Sequence, residues 1–405
     1  MMDFEAQRVI EALRSGVSSR AVGHYFSSAR PELMEQISSR LDHIREQGES
    51  SGMVVSGKYG EGKTHLLNTV FNLAHANNMV VSLVPLSKET PFDKLYLAYQ
   101  KLISNTYLPK RLQPGFQHIL QDITPNNPKA LDLLSFTSKH LETDKLFFVL
   151  RSFLNVEDPD EKYLLMADLE GDFINNALLR QIYKRIFNQT VRYAVPFSKT
   201  RHSMDYFVML SHLFKLLGFN GWVILFDETE LLGRLGKKAR LAAYKNMASF
   251  LFPEQYSHLE STFTMFALGA SYREDVIESK HDFENINSMF VDRVQREPME
   301  KVLNHIIAAP QLQPLNQAEI LSVLEQVQVF HGKAYDWQPQ IDVREVLKAS
   351  ENRGYLLRTR IRAAVELLDQ LYQYRQAGEI RINELGEPQY QEDELPSLDE
   401  CINEM

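Results

Sequence analysis

The chain of 405 residues is 44% hydrophobic and 24% charged, a composition that supplies a sizeable core, fits one large domain or two to three smaller ones, and excludes disorder throughout. Lys and Arg total 44 against 53 Asp and Glu, and the stretch from Asn383 to Met405 alone holds eight acidic residues and no basic one; a body so nearly neutral is poorly suited to tight unaided binding of duplex nucleic acid, which rests on neutralising phosphates. The single cysteine, Cys401, excludes an internal disulfide and a multi-cysteine zinc site, and points to a reducing cytoplasm.

The chain opens without a charged start leading into an apolar stretch, so no signal peptide is expected. Apolar residues at helical spacing predict a helix over Phe4 to Leu13, ending near Gly16, and a second from Pro31 to Glu46. Met53 to Ser56 then reads as a short buried strand, followed by a glycine-rich turn. From Thr64 the chain turns helical, with Leu66, Leu67, Val70, Phe71 and Ala74 on one face, and Met79 to Leu86 reads as the next strand. Thr90, Pro91 and Asp93 look like a helix start, with Thr90 as the cap.

Strand, glycine-rich loop, helix, strand is the opening of a parallel α/β sheet. Residues 105–200 break the pattern with Pro/Asn punctuation and few convincing strands, and read as a mostly helical insertion. The α/β pattern resumes with a helix near Met204 to Leu217, a strand Trp222 to Asp227, a helix from about Lys237 to Phe252 and a strand Thr262 to Gly269. After Pro298 comes an apolar stretch, Val302 to Ala308. Asn316 and Glu319 form a capping-box pattern ahead of a helix with Ile320, Val323, Leu324 and Val327 on its buried face. A last helix is predicted over Leu356 to Tyr374, and the acidic end beyond it reads as disordered or partner-dependent. Neither the run Trp222 to Phe226 nor any other approaches the roughly 18 apolar residues needed to cross a bilayer.

Gly57-Lys58-Tyr59-Gly60-Glu61-Gly62-Lys63-Thr64 matches G-x-x-x-x-G-K-[ST] in full. The glycines let backbone N–H groups curl around phosphate oxygens, Lys63 would reach the β- and γ-phosphates, and the Thr64 hydroxyl would ligate Mg²⁺. The helix that starts there turns the positive end of its dipole to the anion. Val223-Ile224-Leu225-Phe226-Asp227-Glu228 describes a buried parallel strand whose carboxyl end emerges at a ligand crevice. In that setting Asp227 would hold the Mg²⁺ hydration shell, and Glu228 would orient and deprotonate the attacking water of an ATP hydrolysis. At the tip of the Thr262 to Gly269 strand, Ser271 or Arg273 could sense the γ-phosphate. Arg293 and Arg296, and the late trio Arg358, Arg360 and Arg362, are the arginines available to neutralise charge on the transferring phosphoryl group.

The order of phosphate loop, Asp-Glu strand, polar strand tip, arginines and C-terminal helices resembles the AAA+ ATPases, nearest their origin-recognition-like branch. Leu312-Gln313-Pro314-Leu315-Asn316 is similar to the link between core and lid there. Ser27, Ala29, Arg30 and Pro31, leading to the loop Gly57 to Thr64 and on to His65, resemble the P-loop ATP-binding proteins of BREX (bacteriophage exclusion) systems. The resemblance implies a P-loop NTPase core over 51–312 carrying the helical insertion, an N-terminal helical segment over 1–50, a C-terminal helical lid over 313–382 and the acidic tail over 383–405. It further implies that Lys63 and Thr64 serve the triphosphate and Mg²⁺, Asp227 the metal, and Glu228 the water. By the same likeness Ser271 is sensor 1, Arg293 a finger given to a neighbouring subunit, and Arg358 sensor 2. Gly354-Tyr355-Leu356-Leu357-Arg358 departs from the usual glycine, acid, small residue, arginine order, which leaves Arg362 as the alternative. Expected partners are ATP, further copies of the chain, other defence-system proteins and, indirectly or weakly, DNA, with no membrane. A nucleotide-loaded scaffold with negligible turnover is the competing reading.

Overall fold

The computed structural model describes residues 3–27, 30–111, 113–120, 123–351 and 356–382; the acidic tail and the Gly354-Tyr355 pair lie outside them. The chain enters through helix α1 (Phe4–Ser15), whose first amides are capped by the Asp3 carboxylate and whose end is turned by Gly16 at φ 66°. A short α2 (Arg20–Tyr25), which carries too few turns to show periodicity, and α3 (Pro31–Gln47) follow. Then come β1 (Ser51–Gly57), α4 (Lys63–Ala76) and β2 (Val80–Pro85).

The next helix, α5 (Leu95–Ser104), begins later than its sequence signal, with Lys94 rather than Thr90 at the cap position. Thr90 instead meets the Ser87 hydroxyl at 3.0 Å. The reason is tertiary: Phe92 is fully buried, edge-on to Phe226 at 4.9 Å and to Phe266 at 5.5 Å, and the turn around it must reach the sheet before a helix can start. The stretch read as helical insertion opens with a two-residue strand, β3 (Thr106–Tyr107), antiparallel to β2, a correction to an otherwise helical region. Helices α6 (Pro128–Lys139), α7 (Lys145–Asn155), α8 (Pro159–Ala167) and α9 (Asn176–Phe187) fill the rest.

Helix α10 (Lys199–Leu216), strand β4 (Trp222–Asp227), helices α11 (Lys237–Leu251) and α12 (Pro253–Tyr256), and strand β5 (Thr262–Gly269) restore the alternation. Helices α13 (Asp282–Met289) and α14 (Arg293–Ile307) follow, and α14 runs straight through Pro298, so the apolar stretch beyond that proline is its second half. Last come α15 (Gln317–Tyr335), with the predicted capping box present, α16 (Val343–Glu351) and α17 (Leu357–Tyr374).

Among the described residues the strands form one sheet in the order β1-β5-β4-β2-β3, parallel except for β3. Both faces are covered, which is why its strands read as unbroken apolar runs. Val54, Ile224, Phe226, Phe266 and Leu268 face a core shared with α5, α10, α11, α14 and the insertion helices. Their alternates Met53, Val55, Val223, Leu225, Met265 and Ala267 face α3 and α4. A further cluster joins α1 to α15 and α17, and another packs α15, α16 and α17 together. No described helix is long and apolar enough to cross a membrane.

Candidate nucleotide site

The site assembles where the parallel strands end. Register pairs Gly57 of β1 with Gly269 of β5, and Pro85 of β2 with Asp227 of β4, so the glycine-rich loop and the Asp-Glu pair leave the sheet at one edge. In the loop, Gly60 (φ 81°) and Gly62 (φ 94°) hold left-handed conformations that a side chain would strain. The Glu61 carboxylate folds back and accepts the Lys58 N–H at 2.9 Å, and the Arg30 guanidinium donates to the Glu61 carbonyl at 2.6 Å. The loop is thereby stapled both within itself and to the segment ahead of α3.

Lys63 opens α4 and donates through Nζ to the Gly57 carbonyl at 3.0 Å. Beside it, the Thr64 hydroxyl donates to Asp227 Oδ2 at 2.6 Å, a contact spanning 163 residues of sequence. The other carboxylate oxygen of Asp227 accepts the Glu228 N–H at 2.9 Å. Glu228 stands at the strand's exit with φ 54°, a left-handed conformation unusual for a residue with a side chain. Desolvation by the cleft walls, with Asp227 adding repulsion, raises its carboxyl above the ordinary carboxylate value. Two residues on, Glu230 is only 4% exposed, with Oε1 at 3.7 Å from Lys63 Nζ. Burial pushes its carboxyl up to about 7. Sequence reasoning passed over Glu230; an acid three residues after Asp227, on the turn leaving the same strand, was the signal available.

The cleft above these groups has a volume of about 400 Å³. Its floor is Tyr59, Gly60, Gly62, Lys63, Thr64, His65, Asp227, Glu228 and Glu230. Its apolar wall comes from both ends of the chain, including Val17, Val22 and Phe26 on one side and Leu315, Val323 and Ile361 on the other. His65 contacts the Phe26 carbonyl at 2.8 Å, and burial lowers its proton affinity. Arg358 also lines the cleft: its guanidinium donates to the Tyr59 hydroxyl at 2.7 Å, tying α17 to the loop. Arg362 instead donates through Nε to the Arg14 carbonyl at 3.3 Å, at the end of α1.

The remaining sequence-predicted residues are not brought into this cleft. Ser271 lies half-buried in the turn after β5 and is not among the lining residues. Arg273 is exposed and pairs with Glu278 at 2.7 Å within its own turn. Arg293, the first residue of α14, is exposed, and Arg296 donates to Asn287 at 2.8 Å.

The paired oxygens of Thr64 and Asp227 are the hard donors that Mg²⁺ takes, usually with waters and substrate phosphates completing its shell. The residues present therefore fit that metal. Among the described residues no cluster of three or more His, Cys, Asp or Glu could hold a metal by protein ligands alone.

A largely parallel sheet with helices on both faces, and a phosphate-type loop at its carboxyl edge opposite an acid-tipped strand, is consistent with a P-loop NTPase. The family model described as BREX system ATP-binding protein BrxC/D matches residues 3–126 and 191–383, and the chain belongs to that family. Membership carries ATP binding in a phage-defence setting. The unmatched stretch between the two segments holds α6 to α9. Comparison with curated proteins and with solved structures gives no match.

Proposed function

We propose that the chain is an Mg²⁺-dependent AAA+ type ATPase that acts as a switch or motor with partner proteins, on DNA, in phage defence. The observation that carries this reading is the 2.6 Å contact between Thr64 and Asp227, which unites the loop and the acid-tipped strand in one site. Lys63 and the loop amides bind the triphosphate, and Thr64 and Asp227 hold the metal. Bound Mg²⁺ supplies neutralisation of charge on the β- and γ-phosphate oxygens. Glu228, exposed at the cleft floor, orients the water and takes its proton. The apolar wall between the N-terminal helices and α15 and α17 suits a purine base, with Arg358 carrying the lid's answer to the phosphates.

The AAA+ reading is supported by strand order, since β5 lies between β1 and β4 and sets the Ser271 turn between the loop strand and the Asp-Glu strand. It is supported also by the parallel bridge from Ser56 to Gln311, where the chain leaves for the lid. Assembly with further copies is supported by the segment around Arg293, where Val291 is 95% and Val294 75% exposed. On this reading Arg293 reaches a neighbour's nucleotide.

Ser271 standing clear of the cleft favours a second reading, an ATP-loaded scaffold with negligible turnover. Steady-state ATPase assays with and without DNA separate the two. Glu228→Gln is expected to bind ATP and hydrolyse it at least about tenfold more slowly, while Lys63→Ala loses binding and turnover together. Binding without turnover in the wild-type chain, at every concentration of protein and DNA, gives the scaffold reading.

A further inference from the structure

Glu230 is a buried acid for which metal binding and water activation have no use. Its Oε1 faces Lys63 Nζ at 3.7 Å, while Oε2 is buried and has no hydrogen-bond partner among the described residues. Such an oxygen forfeits its hydration, a cost that persists in a fold only when something offsets it. The charged groups around it are Lys63 from α4 and the acids Asp227 and Glu228 from the end of β4. Lys63 is thus the cation that stabilises it, alongside the residue's own backbone N–H.

Resting on the P-loop reading, we propose that Glu230 is a positioning residue that competes with the triphosphate for the Lys63 ammonium and so holds nucleotide affinity down. An ammonium is a compact charge with three donors on a flexible stem. One direction of Lys63 is satisfied by the Gly57 carbonyl at 3.0 Å, and Glu230 draws on the same charge from the cleft side. A phosphate that recruits Lys63 must weaken this pull and come to rest beside a buried acid. Both effects oppose binding of β- and γ-phosphates, and neither touches the base. The consequence is a site from which nucleotide exchanges readily, a property suited to a switch.

The geometry also separates Glu230 from Glu228. Glu228 is exposed on the cleft floor, free to meet a water, whereas Glu230 is 4% exposed and directed at the lysine. Neutralising Glu228 therefore acts on turnover, and neutralising Glu230 acts on affinity.

The test is calorimetry of Mg-ATP and of AMP on the full chain, comparing wild type with Glu230→Gln, Glu230→Met and Lys63→Ala, alongside thermal melts. Glu230→Gln is expected to bind ATP roughly tenfold more tightly, about 1.4 kcal/mol, with AMP affinity unchanged because AMP lacks the phosphates Lys63 serves. Glu230→Met, which removes the charge at similar volume, is expected to do the same and decides the matter should the glutamine variant fail to fold. ATP affinity that is unchanged or weaker in the folded variants overturns the proposal, and an equal gain for AMP does so too. Wild-type affinity for ATP in Lys63→Ala would instead overturn the P-loop reading itself.

Discussion

Arg14, near the end of the first helix, grips Asp369 of the last through two hydrogen bonds of 2.9 and 2.7 Å, joining residues 355 apart in sequence. His331 of α15 donates to the same carboxylate at 3.0 Å, held in that tautomer by the Trp337 indole N–H on its other nitrogen at 2.9 Å. The opening helix is thereby part of the packing of α15 and α17, while α2, a few residues on, lies against α4: Thr69 donates to the Gly23 carbonyl at 3.2 Å and Asn72 to that of Arg20 at 2.8 Å. The connection between these helices, Gly16 to Ser18, borders the cleft, so the N-terminal segment ties α15 and α17 to α4 across the cleft.

Arg14→Met should accordingly loosen α1 from α15 and α17. Hydrogen bonds to charged groups contribute about 1.5–3 kcal/mol, and Arg14 is about a third exposed, so a loss of about 1–2 kcal/mol is expected after solvent screening. Urea unfolding reads the loss, and hydrogen exchange should locate it in α1, α15 and α17. Unchanged protection of α1 would contradict the staple.

Inside the insertion, Lys145 and Asp168 are both 0% exposed and meet at 2.6 Å, with Tyr206 of α10 donating to Asp168 at 2.7 Å. Removing one partner strands a buried charge. Lys145→Met should therefore cost about 3–5 kcal/mol in chemical unfolding, and Lys145→Met with Asp168→Leu should recover much of it. A double variant as unstable as the single one would mean the pair contributes more than charge compensation.

His212 of α10 ties α6 to the core: its ring stacks on Phe136 at 3.8 Å and lies 3.3 Å from both Glu260 and Asp132. Burial alone would lower its proton affinity, but Glu260 and Asp132 outweigh burial and raise it; Lys215 also pairs with Glu260, at 3.4 Å. A raised folded-state pKa gives stability fully present below the unfolded value of about 6.5 and lost as pH rises through the folded value. Against His212→Phe, which keeps the stack, wild type should be more stable by about 1 kcal/mol at acidic pH, with the gap closing in alkali. Thermal melts of both proteins across that pH span provide the check, and a constant gap would sink the idea.

Arg358 and Arg362 divide cleanly by contact. Arg358→Ala should raise the KM for ATP about tenfold, since its guanidinium stands over the loop on Tyr59. Arg362→Ala should leave that KM within about twofold and lower stability by about 1 kcal/mol, as it frees a helix-end carbonyl at Arg14. The reverse pattern would make Arg362 the phosphate-facing arginine.

The spans of β4 and β5 were legible to the residue, and the capping box at Asn316 stands as read, because burial on two faces and end-capping leave strong local marks. Thr90 misled because its cap signal is also local, whereas the burial of Phe92 that overrides it depends on strands far along the chain. Helix α2 escaped because six residues are too few for a period to register.

By itself, the sequence determined the glycine-rich loop, the acid-tipped strand and the alternation that sends both to the carboxyl edge of a parallel sheet, since each is written in contiguous residues whose chemistry is intrinsic. Only the tertiary structure decided that Glu230 faces Lys63 and that Arg358 rather than Arg362 lines the cleft. The tertiary structure alone also left Ser271 and Arg293 outside the cleft and put the opening helix against α15 and α17. Those outcomes turn on the direction of a side chain after its element is packed, and packing is set by residues hundreds of positions away.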